Sequence, residues 1–218
     1  IFSEKIHGQN CRIGLIQISN EKNEKIWSWA AGSHEVQRKQ YIIKSDGTKV
    51  ESVFWTGLTK EVKDLLILLS KCNYTSEEID SNPLVKDNDG INVILFGERF
   101  GSSVQDLQYG FSNGNYDFRY FDISMNGNYI SSEFKYDIFT NNNIKTVPVL
   151  YRGGFDMNKA IELSKGNTTL GQNHIKEGIV ICSILEKPCI TDKRVFARSQ
   201  FKLINPDYLI RKNGTEYH

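Results

Sequence analysis

EKIHGQNCRIGLIQIS, residues 4–19, carries two signals in one stretch. Its second half, CRIGLIQIS (11–19), is apolar and β-branched and reads as a strand. Its first half, EKIHGQN (4–10), sets Lys5 and His7 just ahead of Gly8, where a missing side chain lets the backbone approach a ligand closely. Outward from this point, similar strand-like runs recur: KIWSWAAG (25–32), INVILFGE (91–98), DFRYFDIS (117–124), VPVLYRG (147–153), EGIVICSI (177–184) and RVFARSQFKLI (194–204). Gly, Asn or Asp turns punctuate most of them, and MNGNY (125–129) predicts a hairpin turn. Helical periodicity is clear in TKEVKDLLILLSK (59–71), where Val62, Leu65, Leu66 and Leu69 share a face; a shorter helix is expected from Met157 to Ser164. Many strands with few helices predict an α+β fold, a largely antiparallel sheet system flanked by helices.

The 218 residues are 39% hydrophobic and 24% charged, the make-up of an ordinary folded domain, and no repeat or low-complexity linker divides them. One domain over residues 1–218 is expected. No apolar run is long enough to span a bilayer and the start lacks a signal-peptide pattern, so no membrane partner is expected, and the cytoplasm, or else the nucleus, is the expected compartment. Cys11, Cys72, Cys182 and Cys189 lack CxxC spacing and read as reduced, mostly buried thiols rather than zinc ligands. Net charge is only +1, but Lys193, Arg194, Arg198, Lys202, Arg211 and Lys212 crowd the C-terminal end against only Asp207 and Glu216. That end reads either as a solvated face or as a phosphate-facing surface.

Four further pieces stand beside the lysine stretch. FGERFG (96–101) puts Glu98 at the end of an apolar strand, YFDI (120–123) joins Phe121 to Asp122, EGIVI (177–181) opens a strand with Glu177, and FKLINPDY (201–208) places Lys202 in a late strand. In this order they resemble the nucleotidyltransferase motifs of the covalent polynucleotide ligase superfamily. The histidine before the glycine and the asparagine after it are similar to the first motif of the RNA-repair ligases, with Gln9 where Thr or Ser is common. Each piece alone is weak; the ordered set, running from Lys5 to about Tyr208, is specific.

The resemblance implies the nucleotidyltransferase (ligase adenylation domain) fold and an ATP-dependent RNA ligase core that seals a 3′-hydroxyl to a 5′-phosphate, with RNA ends or a nicked duplex as partner. Lys5 would be the nucleophile that takes AMP from ATP. Because a lysine amine is protonated at neutral pH, nearby cations would have to favour its neutral form: magnesium, for which manganese could substitute, with Lys202 and Arg12. Glu98 and Glu177 would hold the metal, and Glu177 with Lys202 and His7 would join Lys5 in catalysis. Phe121 would stack on adenine while the backbone at Glu4 and Ile6 reads the base edge. His7 and Asn10 would reach phosphates or sugars, against the plainer readings of a satisfied imidazole and a turn cap, and Asp122 would support the ribose, substrate or active-site network.

Two departures from the family pattern stand out. Where relatives carry an arginine after a serine, AGSHEVQRK (31–39) has Ser33 and His34, with Arg38 further on as the alternative ribose or phosphate contact. The last motif keeps Lys202, but Gln200 stands where a second lysine is common. A DNA ligase, a GTP-dependent capping nucleotidyltransferase and a non-catalytic RNA- or nucleotide-binding derivative remain open as alternatives. A monomer is expected, and an OB-type or accessory domain such as full-length relatives carry is expected to lie outside this chain.

Overall fold

A computed structural model of the chain describes residues 1–86, 90–171 and 174–211. Two antiparallel sheets dominate it. The larger comprises β2 (Gln9–Ser19), β3 (Lys25–Gly32), β6 (Val93–Gly101), β7 (Tyr116–Met125) and β8 (Asn128–Tyr129), in the order β3-β2-β6-β7-β8. The smaller runs β13-β10-β1-β9, from β1 (Phe2–Lys5), β9 (Val149–Tyr151), β10 (Gly178–Cys182) and β13 (Gln200–Ile204). Two hairpins stand apart: β4 (Tyr41–Ile43) with β5 (Lys49–Glu51), and β11 (Cys189–Ile190) with β12 (Val195–Phe196). The helices are α1 (Lys60–Ser70), α2 (Ser76–Ile79), α3 (Ser132–Asn141), α4 (Met157–Ser164) and α5 (Pro206–Leu209).

Alternation along each strand decides which sheet face is greasy. In the larger sheet Cys11, Ile13 and Leu15, with Trp27, Trp29, Val93 and Leu95, bury one face beneath Val62, Leu65 and Leu66 of α1. Thr59 caps that helix by accepting the Val62 amide proton, and Lys60 and Asp64 pair one turn apart on its wet side. In the smaller sheet Phe2 and Ile179 pack with Ala160 of α4. The other face of each sheet is the polar one, where Asn10 stands directly across from Glu98 and Val180 across from Lys202. Among the described residues the four cysteines are unpaired, three of them buried, and no helix is long and apolar enough to cross a membrane.

The α+β class, α1, α4 and the β7–β8 hairpin match expectation. Helix α3 is one of the elements that the sequence reading did not expect. Its buried face carries Ser132, Lys135 and Tyr136 beside Phe139, so it has little of the apolar periodicity that marks a helix in sequence. The run read as one strand at 194–204 divides into β12 and β13. Between them Arg198 turns inward to Asp122, with Nη1 donating across 2.7 Å, and also pairs with Glu186. Lys135, 1% exposed, donates to the same Asp122 across 2.6 Å. One carboxylate thus ties α3 and the 186–198 segment to β7.

Two buried or half-buried cations on one acid make that acid hard to remove. Asp122→Ala is expected to cost about 3–5 kcal/mol in urea unfolding, because it strands Lys135 without its counter-charge.

Candidate active site

The chain passes from the smaller sheet to the larger at residues 6–8: Lys5 ends β1 and Gln9 begins β2. Gly8 makes the passage possible, since a Cβ there would lie 2.4 Å from the Arg99 carbonyl oxygen and 2.8 Å from Glu98 Cγ. The polar faces of the two sheets enclose a cleft of about 1220 Å³, and Lys5 lies in its wall. Lys5 pairs in register with Gly178, so its ammonium donates to the neighbouring Glu177 carboxylate. Gly178 itself has φ of 152°, and a Cβ would meet the Leu203 carbonyl at 2.2 Å, so this position next to Glu177 requires glycine.

Glu98, Lys202, Phe121, Asn10, Arg38 and His34 all line the same cleft, with Glu4, Ile6 and His7. Glu98 is half-buried at the cleft wall, and desolvation pushes its pKa up to about 8, aided by the Glu177 charge and opposed by Lys5, Lys202 and the Gly8 amide. Phe121 reaches the cleft through a bulge: Gly97 pairs with Tyr120 and Phe96 with Asp122, which leaves Phe121 as the extra residue. Tyr120 accordingly turns to the core, its hydroxyl donating to the Gly57 carbonyl at 2.9 Å, while Phe121 packs on the apolar cluster around Ile6 and Tyr136. Asn10 Oδ1 is buried without a hydrogen-bond partner among the described residues, an acceptor suited to a ligand's donor.

Several expected roles look different in place. The His7 ring is 3% exposed and both its nitrogens are engaged, Nε2 with Asp106 at 2.7 Å and Nδ1 with the Tyr208 hydroxyl at 2.7 Å. Burial lowers its pKa, partly offset by Asp106. The imidazole therefore braces the lysine turn against α5 and the 103–109 segment instead of reaching a phosphate. Glu4 is likewise engaged, accepting from the Thr168 hydroxyl and from the Thr169 amide and hydroxyl. Arg12 is not among the residues lining the cleft; its guanidinium lies 5.3 Å from the Phe96 ring centroid. The basic C-terminal end is no single surface: Arg198 and Arg211 are paired with internal carboxylates, Lys202 faces the cleft, and Lys212 lies outside the described residues.

Asp106, Tyr109, Lys135, Thr168 and Thr169 are site-supporting residues that no sequence pattern marked, and Tyr208 stood only as the last residue of FKLINPDY. Each acts through a partner about 100 or more positions away, apart from Lys135 and Asp122, and pairings at that separation leave no periodic trace.

The RNA ligase family profile matches residues 1–204. The chain belongs to the RNA ligase family. No curated protein sequence matches it. Its fold is similar to structures of Naegleria gruberi RNA ligase variants, one with ATP and manganese (TM-score 0.62), one with AMP and manganese (0.61) and one without ligand (0.61), each 16% identical. The match covers 95% of this chain and 50% of each of those, so the chain spans about half their length.

A raised carboxylate pKa stabilises the folded state less as pH climbs from the unfolded value near 4.5 through the folded value of about 8. Glu98→Gln, which mimics the protonated acid, is therefore expected to melt several degrees above the parent at high pH and close to it at acid pH, with about 2–4 °C per kcal/mol for this size. Thermal melts on either side of that window check it.

Proposed function

We propose that this chain is the nucleotidyltransferase core of an ATP-dependent RNA ligase, joining a 3′-hydroxyl to a 5′-phosphate through a lysyl-adenylate. The observation that carries the reading is Lys5 hydrogen-bonded to Glu177 in a cleft shared with Glu98 and Lys202. Family membership supports the reaction class, and the ATP, AMP and manganese of the Naegleria structures support the donor nucleotide and a divalent ion.

Among the described residues no group of three metal-ligating side chains gathers. Magnesium or manganese nevertheless accepts one or two carboxylates when substrate phosphates and water complete its shell, so Glu98 and Glu177 fit an ion arriving with ATP. Such an ion would neutralise charge on the transferring phosphates. Glu177, which accepts from the Lys5 ammonium, is the carboxylate that would both orient that amine and help hold the ion.

Lys5 Nζ then forms a bond to the α-phosphorus as the bond to the bridging oxygen breaks and pyrophosphate leaves. An oxygen of the RNA 5′-phosphate next takes the adenylyl group and frees Lys5, and the 3′-hydroxyl oxygen finally displaces AMP. Lys202, which makes no ion pair among the described residues, is placed to offset charge on the phosphates. Phe121 offers a ring face to adenine, and Asn10 an acceptor; Arg38 and His34 stand on the rim for ribose or phosphate. His7, Asp106 and Tyr208 hold the turn so that Lys5 is presented in one position. The same reading takes the protein as a monomer acting on RNA ends or nicks in the cytoplasm or nucleus.

Incubation with labelled ATP and magnesium is expected to place AMP covalently on the wild-type chain and none on Lys5→Ala. An unlabelled wild type, or a labelled Ala variant, would overturn the assignment. Excess GTP is expected to leave labelling intact, whereas strong competition would favour a capping-type nucleotidyltransferase. Sealing of RNA-ended but not all-DNA nicks separates an RNA ligase from a DNA ligase.

A further inference from the structure

Residues 33–38 contribute to the cleft rim, and the chain then leaves it as the β4–β5 arm. Every residue from position 34 to 51 is exposed. The arm is nonetheless regular. Tyr41, Ile42 and Ile43 pair with Glu51, Val50 and Lys49, and the Lys44 amide donates to the Thr48 carbonyl at 2.9 Å. Asp46 closes the turn by accepting the Thr48 amide at 2.9 Å, with Gly47 in the left-handed region at φ 82°. At the base, the Ser52 amide donates to the Gln40 carbonyl at 2.7 Å and the Trp55 indole to the Arg38 carbonyl at 2.8 Å. A two-stranded hairpin wet on both faces is marginal by itself, so an arm anchored this firmly but covered by none of the described residues calls for an occupant.

Charge identifies the occupant. Residues 38–51 hold four cations, Arg38, Lys39, Lys44 and Lys49, against Asp46 and Glu51, in a chain that is otherwise near neutral. Each acid holds a hydrogen bond within the arm: Asp46 caps the turn, and Glu51 accepts the Gln40 side-chain amide at 3.2 Å. Lys39 and Lys44 make no ion pair among the described residues, and the Lys49 amine lies 3.9 Å from the Tyr41 ring centroid. Ile42 and Ile43 are 54% and 74% exposed, apolar surface next to free positive charge. Cations interleaved with flat or apolar side chains suit a single-stranded or nicked polyanion, whose phosphates meet the lysines and whose sugars and bases lie on the apolar residues.

We propose that the β4–β5 arm grips the sugar–phosphate backbone of the RNA strand entering the cleft, with Lys39 and Lys44 as phosphate contacts. The inference rests on the RNA ligase reading and extends it to a surface outside the nucleotide cleft. Neither lysine lines that cleft, so ATP chemistry should not depend on them.

The test compares wild type with Lys39→Glu/Lys44→Glu, measuring affinity for a fluorescent 5′-phosphorylated RNA across a salt series and, separately, formation of the Lys5–AMP adduct. The charge reversal is expected to weaken RNA binding about tenfold or more at low salt. It should also flatten the slope of log affinity against log salt by roughly 1.4, at ~0.7 for each of two single-strand phosphate contacts. Adduct formation should stay within about twofold of wild type. Equal affinity and slope in the two proteins overturn the proposal while leaving the ligase reading intact. RNA affinity lost in Ile42→Ser/Ile43→Ser but unchanged in the charge reversal also overturns it, since the contact would then be apolar. A wild type that forms no adduct fails the ligase reading, and the RNA titration still judges the arm independently.

Discussion

The close passage of Gly8 over β6 is the constraint on which the site depends. Lys5 belongs to one sheet and Asn10 to the other, and only residues 6–8 join the two strands. A side chain at Gly8 would strike the Arg99 carbonyl and Glu98, so the two polar faces could not close on a common cleft at this separation. The turn is held from three sides. The Tyr109 hydroxyl accepts the His7 amide proton at 2.7 Å, His7 links to Tyr208 and Asp106, and Gln105 donates to the Gly8 carbonyl. Rigid support of this kind turns a surface lysine into a presented one.

Electrostatics in the cleft follow from the same closure. Burial makes an ionised Glu98 costly, and the cations facing it, Lys5 and Lys202, act in the opposite sense. Lys5 is meanwhile held on Glu177. Around Lys5 the cleft thus sets Glu98 and Glu177 beside Lys5 and Lys202, and under the proposed function a polyphosphate with its divalent ion would draw on both, the carboxylates holding the ion and the cations the phosphates. Behind it, Asp122 with Lys135 and Arg198 forms a buried charged brace between the larger sheet, α3 and the segment leading to β13, the strand that carries Lys202.

Much of this was legible in residue order. Runs rich in β-branched and aromatic residues between Gly, Asn or Asp turns located β2, β3, β6, β7 and β10, because such side chains fill the packed face of a sheet. The apolar stripe of α1 was equally plain. Lys5, Glu98, Phe121, Glu177 and Lys202 were singled out by their motifs, and the structure brings all five to one cleft. Helix α3 escaped because its inward face uses Lys135 and Ser132, and the break before β13 escaped because Arg198 pairs with acids 76 and 12 positions away. The arm of β4 and β5 left no pattern either, since a strand exposed on both faces has no reason to alternate.

The sequence by itself determined the fold class, most strands, two helices and the identity of the residues that meet around Lys5. These rest on local periodicity and on short motifs whose chemistry travels with them. Only the tertiary structure decided that both His7 ring nitrogens are taken up by Tyr208 and Asp106, that Phe121 is turned by a bulge, and that Arg12 lies over Phe96 away from the cleft lining. Those outcomes depend on which distant residue occupies the space opposite a side chain, and a linear pattern records the type of a residue but not its neighbour across the fold.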